Sequence, residues 1–255
     1  MAEFLVDSIA VNYLFAASGV LPALLAMWYF DHVDRRRPEP RSALRRVAFA
    51  GGVATVPCIL LELLLMKLGP APGSLQFAAY HGFVTAAFVE ELAKVLCLRW
   101  FVWRRPEFDE RVDGIVYATR AGLGFALVEN VLYLLQPHSA AGFAAMFVAR
   151  AVLTVPMHAI SAGIMGYLAA RRRFDGEGPG FIGGFVVAVM LHGTFDAAIF
   201  ALPAVSSYGA LPVVGLGVIP LLVVVQGGTL LRRMARRALA ADELAEQRAG
   251  AQQAA

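Results

Sequence analysis

Charged and polar side chains stand inside four successive apolar stretches of this sequence, where they could act on water. They are Glu90, Glu91 and Lys94 in the first stretch, Glu129 and Asn130 in the second, Arg150 and His158 in the third, and His192 and Asp196 in the fourth. A carboxylate in a suitable environment can act as a general base on water, and a neutral imidazole can bind a metal, stabilise an oxyanion or relay a proton. Glutamate and histidine together therefore suit hydrolysis by activated water, with or without a metal.

Helical spacing groups several of these residues in pairs, since positions four apart are neighbours on a helix face. Glu90 and Lys94 form one such pair, and their contact would lower the cost of burial and leave Glu91 to point elsewhere. His192 and Asp196 form another, in which the carboxylate can accept a hydrogen bond from the imidazole and fix its tautomer. The spacing thus predicts paired groups rather than isolated charges.

Familiar hydrolase motifs are missing from the sequence. It has no serine, histidine and aspartate arrangement with an exposed nucleophile elbow, no paired aspartates of the GxGD type, and no H-E-x-x-H. The usual zinc-protease helix is therefore excluded, and another kind of fold must position the polar residues.

The composition of the chain is that of a membrane protein with several spans. Of its 255 residues, 59% are hydrophobic and only 16% are charged, whereas an ordinary soluble domain is about 25% charged. The sequence pI of about 9.1 comes from arginines in short clusters between apolar runs, and no nucleic-acid-binding motif accompanies them. A nucleic-acid partner is therefore excluded.

Seven stretches of the sequence are long and apolar enough to cross a bilayer, whose core needs about 20 residues of helix. Their approximate bounds are 9–30, 45–68, 76–103, 112–135, 142–170, 180–201 and 208–231. We therefore predict an all-α, polytopic membrane helical bundle of about seven transmembrane helices, with a kink or a wet extension in the long fifth one. Residues 1–237 are predicted to form a single transmembrane domain, and residues 238–255 a short helical tail in the cytoplasm.

The loops between these stretches alternate in charge, which predicts the orientation of the chain. The arginine-containing segments "DHVDRRRPEPRSALRR", "RRPEFDER", "RRRFDGEG" and "RRMARR" alternate with loops that carry neither lysine nor arginine. Positively charged loops stay on the cytoplasmic side. We therefore expect the N-terminus outside and the C-terminus in the cytoplasm.

Four sequence elements, in order, resemble those of a known family. "FVEELAK" fits an E-E-x-x-K element, "FALVE" fits an F-x-x-x-E element, "TVPMH" supplies a lone histidine, and "LHGTFD" fits an H-x-x-x-D element. In this order, and across about 77–200, they resemble the PrsW family of bacterial intramembrane proteases. That family belongs to the superfamily of CAAX-prenyl proteases and bacteriocin-processing proteins (CPBP or Abi).

The resemblance implies a core of four helices, the third to sixth spans, around a site that hydrolyses a membrane protein in or near the bilayer. The implied catalytic residues are Glu90, Glu91, Glu129, His158 and His192, with Asp196 as orienting partner. The prenyl-protease branch has a histidine where this chain has Glu129, which argues against a prenylated substrate. The family cleaves an anti-sigma factor, so a single-span membrane protein in the bacterial inner membrane is the expected substrate.

The metal content of such a site has two alternatives. The family is commonly called a metalloprotease group, and Glu129, His158 and His192 could supply three zinc ligands and leave an open position. Equally, Glu90 or Glu91 could activate water directly, with the histidines holding the oxyanion. The adjacent glutamates and the small number of well-placed histidines slightly favour the metal-free mechanism.

Several polar residues have structural explanations. Lys94 and Arg150 are interpreted as charge balance beside the site, and Asn130 could join helices by hydrogen bonding. Asp113 and Arg120 are predicted to form a structural pair.

Two further polar residues lie outside the four elements. Glu62 in the second span is expected to pair or to face a wet groove, and His81, near the outer surface, is expected to be incidental.

Two functions of other classes remain alternatives to proteolysis. Glutamates, histidines and arginines at membrane depth also serve ion- or proton-coupled transporters, but the two halves of the chain show no inverted repeat and no paired interrupted helices. A non-catalytic protein that binds a membrane partner is the other alternative, and the intact sequence elements weigh against it.

Overall fold

The structure is a computed structural model that describes residues 16–33, 37–136 and 139–253. Within these ranges the chain forms helices without β-strands, so the predicted all-α class is confirmed. The α-helices are α1 Val20–Asp31, α2 Arg41–Leu68, α3 Leu75–Tyr80, α4 Val89–Phe101, α5 Arg111–Leu134, α6 Ala140–Ala149, α7 Val155–Asp175, α8 Gly180–Val205 and α9 Ala210–Gln253. The other helical segments are the π-helical His81–Phe88 and Arg150–Thr154 and the 3₁₀-helical Ser206–Tyr208.

Five helical stretches of the described chain are long and apolar enough to cross a membrane. They are Arg41–Leu68, Arg111–Leu134, Ala140–Asp175, Gly180–Tyr208 and Ala210–Gln253. They correspond to five of the seven predicted spans. The predicted third span is the continuous helical path through α3, the first π-helical segment and α4. The predicted first span, 9–30, begins outside the described residues, and α1 lies in its second half.

The start of α5 is fixed by local hydrogen bonds. Asp113 accepts hydrogen bonds from the backbone N–H groups of Asp109 at 2.8 Å and Glu110 at 2.7 Å, as part of a capping box. Arg120 instead forms an ion pair with Asp31 of α1. The predicted pairing of Asp113 with Arg120 is therefore wrong, because the two positions are about 10 Å apart along the helix and each charge has a nearer partner.

α5 is the central helix of the bundle, and most of its side chains are buried. It packs against α7, α2 and α1. A Cβ on Gly166 of α7 would stand 1.9 Å from the carbonyl oxygen of Gly114, and a Cβ on Gly122 would stand 2.7 Å from that of His158. Only glycine permits such backbone contact, which is typical of close helix pairs in membranes. This close backbone contact therefore determines how far apart the side chains on the facing sides of α5 and α7 lie.

The last helix, α9, runs without a break for 44 residues, so the expected short tail helix is a continuation of the seventh span. At 1.5 Å per residue it is about 66 Å long, roughly twice the thickness of a hydrocarbon core. Asp242 holds its distal half against the start of α5. This carboxylate accepts hydrogen bonds from the N–H groups of Arg111 at 3.0 Å and Val112 at 3.1 Å, and pairs with the Arg111 guanidinium at 2.9 Å.

Candidate active site

Two π-helical segments stand directly before residues that were predicted to do chemistry. His81–Phe88 ends two residues before Glu90, and Arg150–Thr154 ends four residues before His158. Pro156, in the first turn of α7, follows the second segment. At the place of the predicted kink, the fifth span has a π-helical segment followed by a proline. π-Helical turns are frequent at functional sites.

Glu90, Glu91 and Lys94 lie in the first half of α4 with exposed fractions of 5%, 0% and 0%. Lys94 Nζ is 2.7 Å from Glu91 Oε1 and 3.5 Å from Glu90 Oε2. The predicted contact between Glu90 and Lys94 is present, but Glu91 does not point elsewhere and is the closer partner. Both carboxylates reach one ammonium because positions three and four residues apart share a helix face.

His158 of α7 connects this cluster to Glu129 of α5. Its Nδ1 lies 2.9 Å from Lys94 Nζ, and its Nε2 lies 2.8 Å from Glu129 Oε2. Because an ammonium can only donate, Nδ1 accepts and Nε2 carries the proton that is donated to Glu129. The hydrogen-bond partners therefore assign His158 as a neutral imidazole in one tautomer.

His192 of α8 faces a carboxylate at each ring nitrogen. Its Nδ1 is 2.8 Å from Glu91 Oε1, and its Nε2 is 3.2 Å from Asp196 Oδ2. Both nitrogens can therefore donate hydrogen bonds, as those of a protonated imidazole do. The predicted contact with Asp196 is present, and the contact with Glu91 joins α8 to α4.

Glu90 occupies the space between the two histidines without close contact to either. Its Oε2 lies 3.7 Å from His158 Nδ1 and 4.0 Å from His192 Nε2. Glu91, by contrast, has three partners at its Oε1 at distances of 2.7, 2.8 and 3.0 Å. The two adjacent glutamates thus differ, because one is tightly held and the other has loosely spaced partners.

Arg150 and Asn130 hold Glu129 in place. The Arg150 guanidinium contacts Glu129 Oε2 at 3.0 Å and donates from Nε to Asn130 Oδ1 at 2.6 Å. Asn130 in turn donates to the backbone carbonyl of Gly19, just before α1, at 3.1 Å. Arg150 also lies 4.2 Å from the centre of the Tyr133 ring. These contacts agree with charge balance by Arg150 and with helix joining by Asn130.

Two residues that contact the site were not among the predicted catalytic residues, although Phe125 belongs to the F-x-x-x-E element. Ser161 of α7 donates a hydrogen bond to Glu91 Oε1 at 3.0 Å. Phe125 of α5 lies beneath the ammonium of Lys94, which is 5.1 Å from the ring centre. Ser161 follows His158 by three positions and so shares its helix face, which is the signal that could have revealed it.

Glu62 of α2 also faces the site, although the sequence placed it outside the four elements. It is half-buried and interacts electrostatically with Glu129, His192 and Asp196. α2 packs along α4, where the thiol of Cys58 contacts the backbone at 3.9 Å. Only this packing of α2 against α4 reveals where Glu62 lies.

Three donors of the site could hold a metal ion. Glu90, His158 and His192 each offer one ligand atom, and these atoms lie within 4.8 Å of one another. The set predicted from the sequence has Glu129 in place of Glu90. In the structure Glu129 lies beyond the far nitrogen of His158 and pairs with Arg150. One carboxylate and two imidazoles are a donor set that a catalytic zinc accepts. Lys94 Nζ, however, lies among these donors, 2.9 Å from His158 Nδ1 and 3.5 Å from Glu90 Oε2.

Comparisons with known proteins cover the whole of this site. Residues 39–225 match the profile of the family described as "PrsW family intramembrane metalloprotease", and this range includes each of the catalytic residues expected from the sequence. The chain belongs to the PrsW family.

Several curated PrsW proteins are similar to this chain over most of their length. Protease PrsW of Geobacillus kaustophilus is 33% identical over 187 residues, which cover 72% of this chain and 79% of the relative. Protease PrsW of Bacillus subtilis is 33% identical over 195 residues, or 75% and 84% of the two chains. Protease PrsW of Clostridioides difficile is 32% identical over 182 residues, or 70% and 76%. No solved structure shows a significant match to the chain.

Membership of the PrsW family establishes the class of activity. The protein is a peptidase, and it acts as an intramembrane protease. Its long apolar helices make it a multi-pass membrane protein. The predicted family and the predicted class of enzyme are therefore confirmed, and the transporter and the non-catalytic binding protein are not supported.

Proposed function

We propose that this PrsW protease cleaves a single-span membrane protein, such as an anti-sigma factor, by attack of a water molecule that Glu90 activates. The position of Glu90 carries the proposal. Its carboxylate stands between the imidazoles of His158 and His192 at 3.7 and 4.0 Å, which leaves it able to accept a hydrogen bond from water. Glu91 is held by three donors, so we assign it a positioning role.

In the proposed reaction, Glu90 takes a proton from water while the water oxygen bonds to the carbonyl carbon of the scissile peptide. The carbonyl oxygen becomes an oxyanion, to which His192 donates the hydrogen bond from Nε2 that Asp196 accepts in the resting site. Collapse of this intermediate breaks the C–N bond. The proton held by Glu90 passes to the leaving nitrogen, so the products are a new carboxyl terminus and a new amino terminus.

The contacts of His192 support its role. Glu91 accepts from Nδ1, which directs Nε2 toward Glu90 and Asp196. Lys94 in turn holds Glu91 at 2.7 Å. Partners of this kind fix the orientation of a catalytic imidazole. We therefore assign Asp196, Glu91 and Lys94 to the support of His192.

The family description implies a metal, which Glu90, His158 and His192 would hold. A bound zinc would supply a Lewis acid and a more acidic water. However, the Lys94 ammonium already stands among these donors, 2.9 Å from His158 Nδ1 and 3.5 Å from Glu90 Oε2. Since two cations at one place repel each other, we propose the metal-free mechanism.

The Glu90 role is tested by the membrane proteome of a host that carries the wild type, Glu90→Gln or Glu246→Gln at matched expression. Glu246 is exposed on α9 and gives a control of the same chemistry. We expect Glu90→Gln to lower the cleavage rate by at least about 100-fold, so that a full-length membrane protein accumulates and its fragment disappears. Unchanged fragments in a Glu90→Gln protein that is folded and abundant would contradict the proposal.

We further propose that the protein lies in the bacterial inner membrane with its N-terminus outside and its C-terminus in the cytoplasm. Contacts between the basic loops support their location on one side of the membrane. Arg37 of the first basic loop pairs with Asp109 and Glu110 of the second. Arg111 pairs with Asp175 at the start of the third. Basic loops on one side are typical of the cytoplasmic face.

Cysteine labelling tests this orientation. The native Cys58 and Cys97 are buried, so they give little background. We expect a cysteine introduced by Ala251→Cys, near the end of α9, to react with a membrane-impermeant maleimide in inside-out vesicles but not in intact spheroplasts. The reverse pattern would place the C-terminus outside and contradict the proposal.

A further inference from the structure

A lateral groove lies between α1 and α9 on the side of α7 that faces away from His158. Its volume is ≈ 440 Å³. Phe30 of α1 lines one wall, Gly228 and Leu231 of α9 line the other, and Ala159 and Ile160 of α7 form the floor. Along this length the lining is apolar, so the groove offers a place for a hydrocarbon chain in a membrane.

Two arginines stand near one end of the groove, which Leu239 lines beyond them. Arg232 and Arg236 line it and are exposed. Being four positions apart, they lie on one face of α9. Across the described part of the chain, neither guanidinium forms an ion pair. Among the described residues, these two positive charges therefore have no carboxylate within ion-pair distance.

The sequence of α9 indicates the depth at which the basic end of the groove lies in the membrane. From Ala210 to Leu231 the helix has no charged residue, and Arg232 is the first. Arginines at the end of a long apolar run stand at the level of the lipid headgroups. The apolar length of the groove thus lies in the hydrocarbon layer, and its basic end lies where lipid phosphates are found.

We propose that this groove is a binding site for one anionic phospholipid. The phosphate contacts Arg232 and Arg236, whose guanidinium groups match phosphate in charge and geometry. One acyl chain runs along the floor that α7 forms, where it buries apolar surface. The two unpaired arginines favour an anionic headgroup over a zwitterionic one, because basic residues at the membrane surface attract net negative lipids.

Native mass spectrometry of the purified full-length protein tests whether the two arginines bind a lipid headgroup. The probes are phosphatidylglycerol, phosphatidylcholine with the same acyl chains, and inorganic phosphate. We expect one phosphatidylglycerol to bind more tightly than phosphatidylcholine, and the double variant Arg232→Gln/Arg236→Gln to weaken it by about 30-fold. Arg233→Gln/Arg237→Gln removes the same charge from exposed positions outside the groove and is expected to leave binding near the wild-type level.

Gly228→Leu tests the apolar part of the groove. A Cβ at Gly228 would lie 3.6 Å from the side chain of Ile160, an ordinary contact, so the larger side chain can enter the groove without a backbone clash. We expect this variant to weaken binding of both phospholipids while the melting temperature stays near that of the wild type. If Gly228→Leu fails to fold, the comparison of the two arginine pairs decides the proposal.

Several results would overturn the proposal. Equal weakening by both arginine pairs would mean diffuse attraction to the surface of the protein. Binding of phosphatidylglycerol no tighter than that of phosphatidylcholine, displacement of the lipid by inorganic phosphate, or full lipid binding by a folded Gly228→Leu would each contradict a phospholipid site. A dimer that Gly228→Leu dissociates would make a second copy of this chain the occupant.

Discussion

Lys94 contacts three ionisable side chains of the site. Its ammonium lies 2.7 Å from Glu91, 3.5 Å from Glu90 and 2.9 Å from His158, and the side chain is fully buried. Charges within a bundle persist only where partners compensate for the loss of water. Lys94 thus offers one ammonium to both carboxylates and offsets part of the cost of burying them.

Replacement of this lysine tests whether it stands in the place of a metal. We expect the wild type to contain less than stoichiometric zinc, and Lys94→Met to unfold more easily by about 3–5 kcal/mol because Glu91 loses its ammonium partner. We also expect Lys94→Met to bind added zinc and regain part of that stability. Elemental analysis and thermal unfolding measure both effects, with Lys67→Met, at an exposed position of α2, as control. One equivalent of zinc in the wild type would contradict the metal-free mechanism.

At the scale of single residues, the sequence could predict contacts within a helix better than contacts between helices. The pairs Glu90 with Lys94 and His192 with Asp196, each four positions apart, are both found. The contact of His192 with Glu91 depends on how α8 is turned about its axis relative to α4. Spacing along one helix does not determine that rotation, so only the folded structure reveals the contact.

The helix pair α5 and α7 sets the frame in which the site is built. Its glycines allow backbone contact with almost no side-chain volume between the helices. Glu129 and His158 project from these two helices and meet at 2.8 Å. The spacing of Glu129 and His158 therefore depends on the packing of small residues around them.

Replacement of single glycines by alanine tests the importance of this contact. At Gly166 a Cβ would stand 1.9 Å from a backbone oxygen, whereas at Gly215 of α9 nothing lies within 4 Å. We expect Gly166→Ala to destabilise the protein by about 1–3 kcal/mol through overpacking. Gly215→Ala is expected to be neutral or stabilising, because alanine favours a helix interior by about 1 kcal/mol over glycine. Equal melting temperatures of the two variants would contradict this account.

At the scale of helices, apolar runs of bilayer length predicted where most of the spans lie. The two π-helical segments, His81–Phe88 and Arg150–Thr154, could not be predicted in this way, because the wider turn leaves no trace in composition. The length of α9 was also underestimated. Its last turns are polar on their exposed side, and only the contact of Asp242 with α5 shows that they pack against the bundle.

For the whole molecule, charged contacts tie together the helix ends on the side of the basic loops. Arg111 joins the start of α5 to Asp175 of α7 and to Asp242 of α9. The loop residue Arg37 pairs with Asp109 and with the Glu110 carboxylate, which raises the pKa of the guanidinium. These ties involve none of the catalytic residues, so the frame and the site are held by separate sets of charges.

Membranes differ in thickness, and embedded helices respond by tilting or by sliding along their neighbours. α5 and α7 meet backbone to backbone at Gly114 and Gly166, so sliding of one past the other is blocked and the pair must tilt as a unit. Peripheral helices such as α9 then adjust to a thicker or thinner lipid layer. We expect the cleavage rate in reconstituted vesicles to change little with acyl-chain length, and a sharp optimum at one length would show that the pair slides.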